Sequence, residues 1–435
     1  MSTAKEPSAW TKTIVASMTS YIDAGSIVAG AAGLSLWEAH FNMTPDKVGY
    51  FNALGPNALG AAIGALIGGR ICDLYGRKLV YTYDLLFYIF GMLLVIFSFN
   101  YPMLLVGYAI VGLAVGADVS ASWTLIAENA PAENRARHCG TAQLMWALGP
   151  AVVMLLSAIV YFFGLGLLGN RLVFGHLVVI AFIVWMMRLR MPESEEWISN
   201  KEKEKQLIAA GVWQKTSYWD LFTNPVNRKG LLLLIGVYMV WNLAAGTMGG
   251  LLNYIYSKAG GVTETTASAL TALLFVTSCL STLFIFMTLA DKYSRRVIYC
   301  VVACLFIAAW GAFAIPSAWI GMPVFAMIAI LMGINNGSGQ QAFYQMWAAE
   351  MFPARYRAAA QGFSFFMARS CLAIWLYIAS VIIATGGMPT VAVILVIFAT
   401  ISMLIGTIFC PNTAGKTLEQ IEEERYGKAG QSEHE

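Results

Sequence analysis

The sequence predicts an all-α membrane protein with twelve transmembrane helices in two six-helix, pseudo-symmetric bundles. Three observations carry that expectation: a charge-poor composition, twelve apolar runs about one polar loop, and two loop motifs that recur at nearly one spacing. Of 435 residues, 58% are apolar and 12% are charged, about half the charged share of soluble domains. Mean hydropathy is +0.66. So little charge cannot cover a water-exposed surface of this size, which excludes a soluble enzyme, a disordered chain and a nucleic-acid binder. The net charge of +3 implies no polyanionic partner.

A helix needs about 20 apolar residues to cross a bilayer. Such runs fall at 13–37, 48–72, 79–98, 102–127, 139–164 and 169–188, and then at 229–256, 264–290, 297–315, 321–349, 359–384 and 389–410. The expected organisation is an N-terminal bundle (1–190), a cytoplasmic linker with short helices (191–228), a C-terminal bundle (229–410) and a charged cytoplasmic tail (411–435). With the N-terminus inside, 23 of the 27 Lys and Arg residues fall on tails or cytoplasmic loops. Only Lys47, Arg171 and Lys258 then face outside, and Arg369 lies within a span. Both termini are therefore predicted to be cytoplasmic. The start of the chain lacks an A-x-A cleavage signal, so the first run reads as a retained helix. Seven cysteines form no CxxC and read as small apolar packing residues.

The halves repeat. After span two the chain reads Gly69-Arg70-Ile71-Cys72-Asp73-Leu74-Tyr75-Gly76-Arg77-Lys78, and after span eight Ala290-Asp291-Lys292-Tyr293-Ser294-Arg295-Arg296. Asp73 and Asp291 are 218 residues apart, as are Arg77 and Arg295. After spans four and ten, Glu128, Pro131 and Arg135 match Glu350, Pro353 and Arg357 at an offset of 222. These are parallel six-span repeats about an axis along the membrane normal. Asp73, Arg77, Glu128, Arg135, Asp291, Arg295, Glu350 and Arg357 read as a latch on a cytoplasmic gate. An Asp at one helix end can pair with the Arg that starts the next helix, or face a neighbouring helix N-terminus, where the macrodipole favours an anion. Simple anchoring of helix ends is the plainer alternative.

The G-x-x-x-D-x-x-G-R-K loop resembles the signature of the major facilitator superfamily. Ile126-Ala127-Glu128-Asn129-Ala130-Pro131, Ala349-Glu350-Met351-Phe352-Pro353, Pro192-Glu193-Ser194 and Pro411-Asn412-Thr413-Ala414-Gly415-Lys416-Thr417-Leu418 narrow the resemblance to the sugar porters and bacterial metabolite:proton symporters. It covers nearly the whole chain and implies that superfamily's fold, with alternating access about a midplane site.

Charges inside a span are costly and so informative. Asp23 in span one, Asp118 in span four and Arg369 in span eleven stand out, while Asp84, Glu128 and His176 lie nearer span ends. Asp23 and Asp118 are the candidate proton carriers. The resemblance matches Asp23 to an Asp linked to proton coupling, whose Arg partner lies in span four; this chain has Tyr108 there. One of the two acids could equally be a helix–helix hydrogen bonder or a permanent partner of Arg369. Arg369 presents a fork suited to carboxylate or phosphate, and reads either as a substrate-anion anchor or as an internal ion pair.

Gln143 and Trp146 in span five, Trp241, Asn242 and Asn253 in span seven, and Asn335, Asn336, Gln340, Gln341, Tyr344, Gln345 and Trp347 in span ten complete the candidate substrate wall. Amides grip hydroxyls and aromatic faces cover sugar C–H surfaces, and the resemblance matches Gln143 to a sugar-contacting Gln. Singly, each could be interhelical glue. Gly60, Gly64, Gly68 and Gly69 read as close helix packing. No Walker sequence exists, so ATP is not the expected energy source. No cofactor and no metal are expected. The partners are protons, the lipid bilayer and a small-molecule substrate.

The sequence thus predicts a monomeric transporter of the cell (inner) membrane and not an enzyme. It would take up a hydroxylated, anionic metabolite such as a sugar acid with protons. A neutral sugar or polyol symporter, and a drug or metabolite efflux transporter, are the alternatives.

Overall fold

The computed structural model describes residues 8–209, 219–256, 261–315, 321–411 and 413–427. The first half runs α1 (Ala9–Phe41), α2 (Pro45–Leu54), α3 (Leu59–Tyr75), α4 (Arg77–Ile96), α5 (Tyr101–Asn129), α6 (Arg135–Phe162) and α7 (Gly166–Arg188). Two short helices, α8 (Glu195–Ala209) and α9 (Asp220–Thr223), follow; residues 210–218 of the expected linker lie outside the described residues. The second half runs α10 (Pro225–Tyr254), α11 (Glu264–Ser281), α12 (Met287–Leu289), α13 (Arg295–Ala312), α14 (Met322–Ser338), α15 (Gln340–Glu350) and α16 (Ala354–Phe409). A tail helix, α17 (Leu418–Tyr426), carries a capping box on Thr417 and Gln420. Among the described residues there is no strand.

Eleven helical segments are long and apolar enough to cross a membrane. The expected eleventh span, 359–384, is helical but lies inside α16, which runs on into span twelve through Gly387. There φ is +76°, a left-handed turn that glycine adopts without steric cost. Three other spans are interrupted. Span two breaks between Leu54 and Leu59 at Gly55-Pro56, where proline lacks an N–H and disfavours helix in the residue before it. Span ten breaks at Gly339, and a Cβ there would sit 2.5 Å from Asn335 Nδ2. Span eight widens into a π turn at Thr282–Phe286.

Within the first half α1 packs on α6 and α7, and α4 on α5 and α7. Span two lies against α5 through glycine, as its spacing predicts: a Cβ on Gly64 would reach 2.1 Å from Leu113 O, and one on Gly116 2.0 Å from Ala61 O. The halves meet along two seams, α3 with α16 and α6 with α11. These are spans two and eleven, then eight and five, the pairing a six-span repeat requires. The α3–α16 seam is backbone on backbone, because Gly69 faces Ala358 O and Gly362 faces Ala65 O. The other seam sets Gly140 against the flexible Met287 side chain.

Candidate substrate and proton site

At the end of the bundle that carries both termini, all eight expected latch residues fall into two matching networks. Glu128 accepts from Arg77 Nη2 at 2.7 Å and from Arg357 Nη1, in the other half, at 2.9 Å. Glu350 accepts from Arg295 Nη1 at 2.8 Å and from Arg135 Nη1, again across the halves, at 3.0 Å. Asp73 takes the Ala359 N–H at 2.8 Å and the Ala358 N–H at 3.3 Å at the start of α16. Asp291 takes the Ala136 N–H at 3.0 Å at the start of α6. Asp291 thus sits where a helix N-terminus favours an anion, Asp73 reaches the second turn of α16, and the two pair with Arg295 at 3.7 Å and Arg77 at 3.4 Å.

Two linker carboxylates join this latch. Glu193 accepts from the N–H groups of Arg77 and Lys78, both at 3.0 Å, and so caps α4. Glu196 lies 3.0 Å from Arg357 Nη1. Pro192-Glu193-Ser194 signalled the segment but not these contacts. Burial pushes the Glu196 carboxyl up against the opposing pull of Arg357. Burial also raises Asp291, opposed by the Ala136 N–H and Arg295.

Inside the first half, four charged side chains converge from four helices. Arg188 Nη1 lies 2.9 Å from Asp118 Oδ1 and 3.6 Å from Asp84 Oδ2. Its Nη2 donates to Ser122 Oγ at 2.8 Å and Thr19 Oγ1 at 2.9 Å. Asp23 is 3% exposed, and its Oδ2 has no hydrogen-bond partner. Arg188 reads in sequence as a cytoplasmic loop cation ending span six, and only the folded chain turns it inward. The partner of Asp118 is therefore Arg188 and not Arg369. Tyr108 stacks on Phe51 at 4.2 Å and donates to Ser26 O at 3.3 Å.

The amides expected to line the substrate wall lie buried where the halves meet. Gln143 Nε2 donates to Asn336 O at 2.6 Å, and Gln345 Nε2 to Gln143 Oε1 at 3.2 Å. Asn336 Nδ2 reaches Ser278 Oγ at 2.9 Å. Trp241 Nε1 donates to Asn335 Oδ1 at 3.0 Å, and Asn335 Nδ2 to Gln340 Oε1 at 2.6 Å. Gln340 and Asn335 thereby splice the broken span ten. Tyr344 stacks on Tyr238 at 3.9 Å, while Trp146 and Tyr344 both meet Trp123 edge-on. Asn242 Oδ1, Gln341 Nε2 and Gln345 Oε1 are buried without a partner. Leaving such an atom unpaired costs about 1–3 kcal/mol, so each is a waiting hydrogen-bond site. The side chain of Asn253 lies outside the described residues.

Arg369 is also buried here, at 4% exposure. Its Nη1 donates to Asn57 Oδ1 at 2.8 Å and Asn57 O at 3.2 Å, at the break in span two. Its guanidinium lies over the Phe365 ring, 4.9 Å from the centroid. Among the described residues no cluster of three or more His, Cys, Asp or Glu side chains could hold a metal ion.

The family model "Sugar (and other) transporter" matches residues 46–424. The chain belongs to the sugar transporter family. It is 50% identical over 417 residues to the minor myo-inositol transporter IolF of Bacillus subtilis, covering 96% of this chain and 94% of that protein. It is 26% identical to the glucose transporter GlcP of Staphylococcus epidermidis, covering 86% of this chain and 87% of that one. Its fold matches the proton:xylose symporter XylE bound to 6-bromo-6-deoxy-D-glucose with a TM-score of 0.77 at 19% identity, covering 96% and 98% of the two chains. This family member is a multi-pass membrane transporter and not an enzyme.

Proposed function

We propose that the protein is a proton-coupled uptake transporter for a small neutral polyol, myo-inositol or a close analogue. The carrying observation is the chemistry of the buried midplane. Asn242, Gln341 and Gln345 offer unpartnered amide atoms, and Tyr238, Tyr344 and Trp146 supply aromatic faces nearby. Such a set satisfies hydroxyls and needs no ionic counterpart. The 50% identical relative named as a myo-inositol transporter favours the same class. The sugar-acid expectation leaned on Arg369, whose Nη1 is engaged by Asn57.

In this reading residues 1–190 and 229–410 move as two rigid halves about the site, residues 191–228 link them, and residues 411–435 form the tail. The protein acts as a monomer in the cell membrane with both termini cytoplasmic. The Glu128 and Glu350 networks close the cytoplasmic side and part when the site opens inward. Asp23 and Asp118 serve the coupling proton.

The test is uptake of labelled myo-inositol into proteoliposomes holding the purified protein. Saturable uptake, driven by an inward proton gradient and abolished by a protonophore, is expected. Unlabelled myo-inositol should compete and glucuronate should not. Competition by glucuronate alone would restore the sugar-acid reading, and uptake that follows sodium instead of pH would remove proton coupling.

A further inference from the structure

We propose that Asp84 and Asp118 share the coupling proton under the hold of Arg188, which makes Asp84 a coupling residue. The inference rests on the proton-coupled reading above and deepens it. Asp84 and Asp118 are 6% and 3% exposed, on α4 and α5. Both carboxyls face the same guanidinium nitrogen: Arg188 Nη1 lies 2.9 Å from Asp118 Oδ1 and 3.6 Å from Asp84 Oδ2. One guanidinium offsets one carboxylate, and a second ionised acid would stand as an uncompensated buried charge, so one of the two carries a proton. The surrounding contacts say which one. Asp118 Oδ1 accepts from Arg188 Nη1 at 2.9 Å and Ser122 Oγ at 2.7 Å, as a carboxylate does. Asp84 Oδ1 takes the Leu85 N–H at 2.6 Å, and its buried Oδ2 has no hydrogen-bond donor. The proton therefore sits on Asp84, whose Oδ2 faces the Arg188–Asp118 pair.

Charge arithmetic gives the consequence. Two carboxylates, one guanidinium and one proton are neutral together, and loss of the proton leaves a net charge of −1. An uncompensated charge within a span is costly. The ionised Asp84 then competes with Asp118 for the same Nη1, already 3.6 Å from one and 2.9 Å from the other. Arg188 is thus the side chain that must move, and it draws α4, α5 and α7 with it. The proton leaves once Arg188 moves and the narrow gap lined by Lys12, Val15, Ala16, Leu125 and Met191 widens enough to admit water.

The other charged and titratable groups facing this centre include Asp23 on α1, which feels the charges of Asp84, Asp118 and Arg188, Tyr88 on α4, bonded to Ser26 Oγ at 2.6 Å, and the buried Cys72 on α3, which feels the charge of Asp84. Lys12, at the gap, is paired with Glu195 at 3.2 Å. Asp23 provides the field in which the shared proton moves.

The experiment compares wild type, Asp84→Asn and Asp23→Asn in proteoliposomes, measuring myo-inositol counterflow without a gradient and accumulation under a pH gradient. A gradient of about one pH unit with one proton per substrate supports up to about tenfold accumulation. Asp84→Asn is expected to keep counterflow and lose that accumulation. If Asp84→Asn accumulates like wild type, the proposal is overturned. If the wild type exchanges myo-inositol but ignores the pH gradient, proton coupling itself falls and takes the proposal with it. If wild type carries no myo-inositol, or Asp84→Asn does not fold, infrared spectra of purified wild type, Asp118→Asn and Asp84→Glu decide. A protonated-carboxyl C=O band that is lost in Asp118→Asn and shifted in Asp84→Glu supports the shared proton, and a band unchanged in both overturns it.

Discussion

Arg188 and Asp118 are 70 residues apart in sequence, yet their side chains meet at 2.9 Å in the interior of the first half. The arginine belongs by sequence to the end of span six and by structure to the centre of a polar cluster. Its Nη2 is also committed to Ser122 and Thr19, so the cluster fixes the relative placement of α1, α5 and α7.

Removing the cation should therefore cost more than removing the pair. Arg188→Leu strands at least one buried carboxylate, for which about 3–5 kcal/mol of destabilisation is expected. The double substitution Arg188→Leu with Asp118→Asn should recover most of it. Thermal unfolding of the purified single and double variants in detergent checks this, and a double variant no more stable than Arg188→Leu would contradict it.

A second prediction concerns the α3–α16 seam. A Cβ on Gly362 would lie 2.2 Å from Ala65 O, a backbone atom that cannot turn aside. Gly362→Ala should push the halves apart at the latch end, with an overpacking cost of about 1–3 kcal/mol. The latch would open more often, so a cysteine placed at Ala358 should label faster with a polar maleimide than in the parent. Gly140→Ala meets side chains and no backbone, chiefly the flexible Met287 with Phe286 at 3.1 Å, and should change labelling much less.

The third prediction is a pH dependence of the latch. Asp291 is held above its ordinary range by burial, so the closed latch binds its proton more tightly than the open or unfolded chain does. That stabilisation is complete below the ordinary carboxylate range and is lost as pH rises through the raised value. Closure, read as the distance between spin labels on the two halves, should weaken with rising pH. Asp291→Asn keeps an acceptor for the Ala136 N–H and cannot titrate, so it should flatten that component.

The sequence by itself determined the fold class, the two repeats and the residues of the two ion-pair networks. Each rests on a local or periodic signal: apolar runs long enough to span, and motifs repeated at offsets of 218 and 222 residues. The eight latch residues were legible because loop motifs repeat in register, and their partners lie at the matching ends of neighbouring helices. The folded chain alone decided the interior. Arg188 looked like a loop cation because its neighbours Arg190 and Met191 end the span, and the rotation of α7 that aims it at Asp118 is set by packing. Arg369 reads in sequence as an anion anchor or an internal ion pair, and its contact with Asn57, 312 residues away at a helix break, is not visible there. Gln340 and Asn335 read in sequence as cavity wall, and the bond between them across the break at Gly339 is visible only in the folded chain. Helical periodicity tells which residues share a face; which face meets which follows only when all the helices pack together.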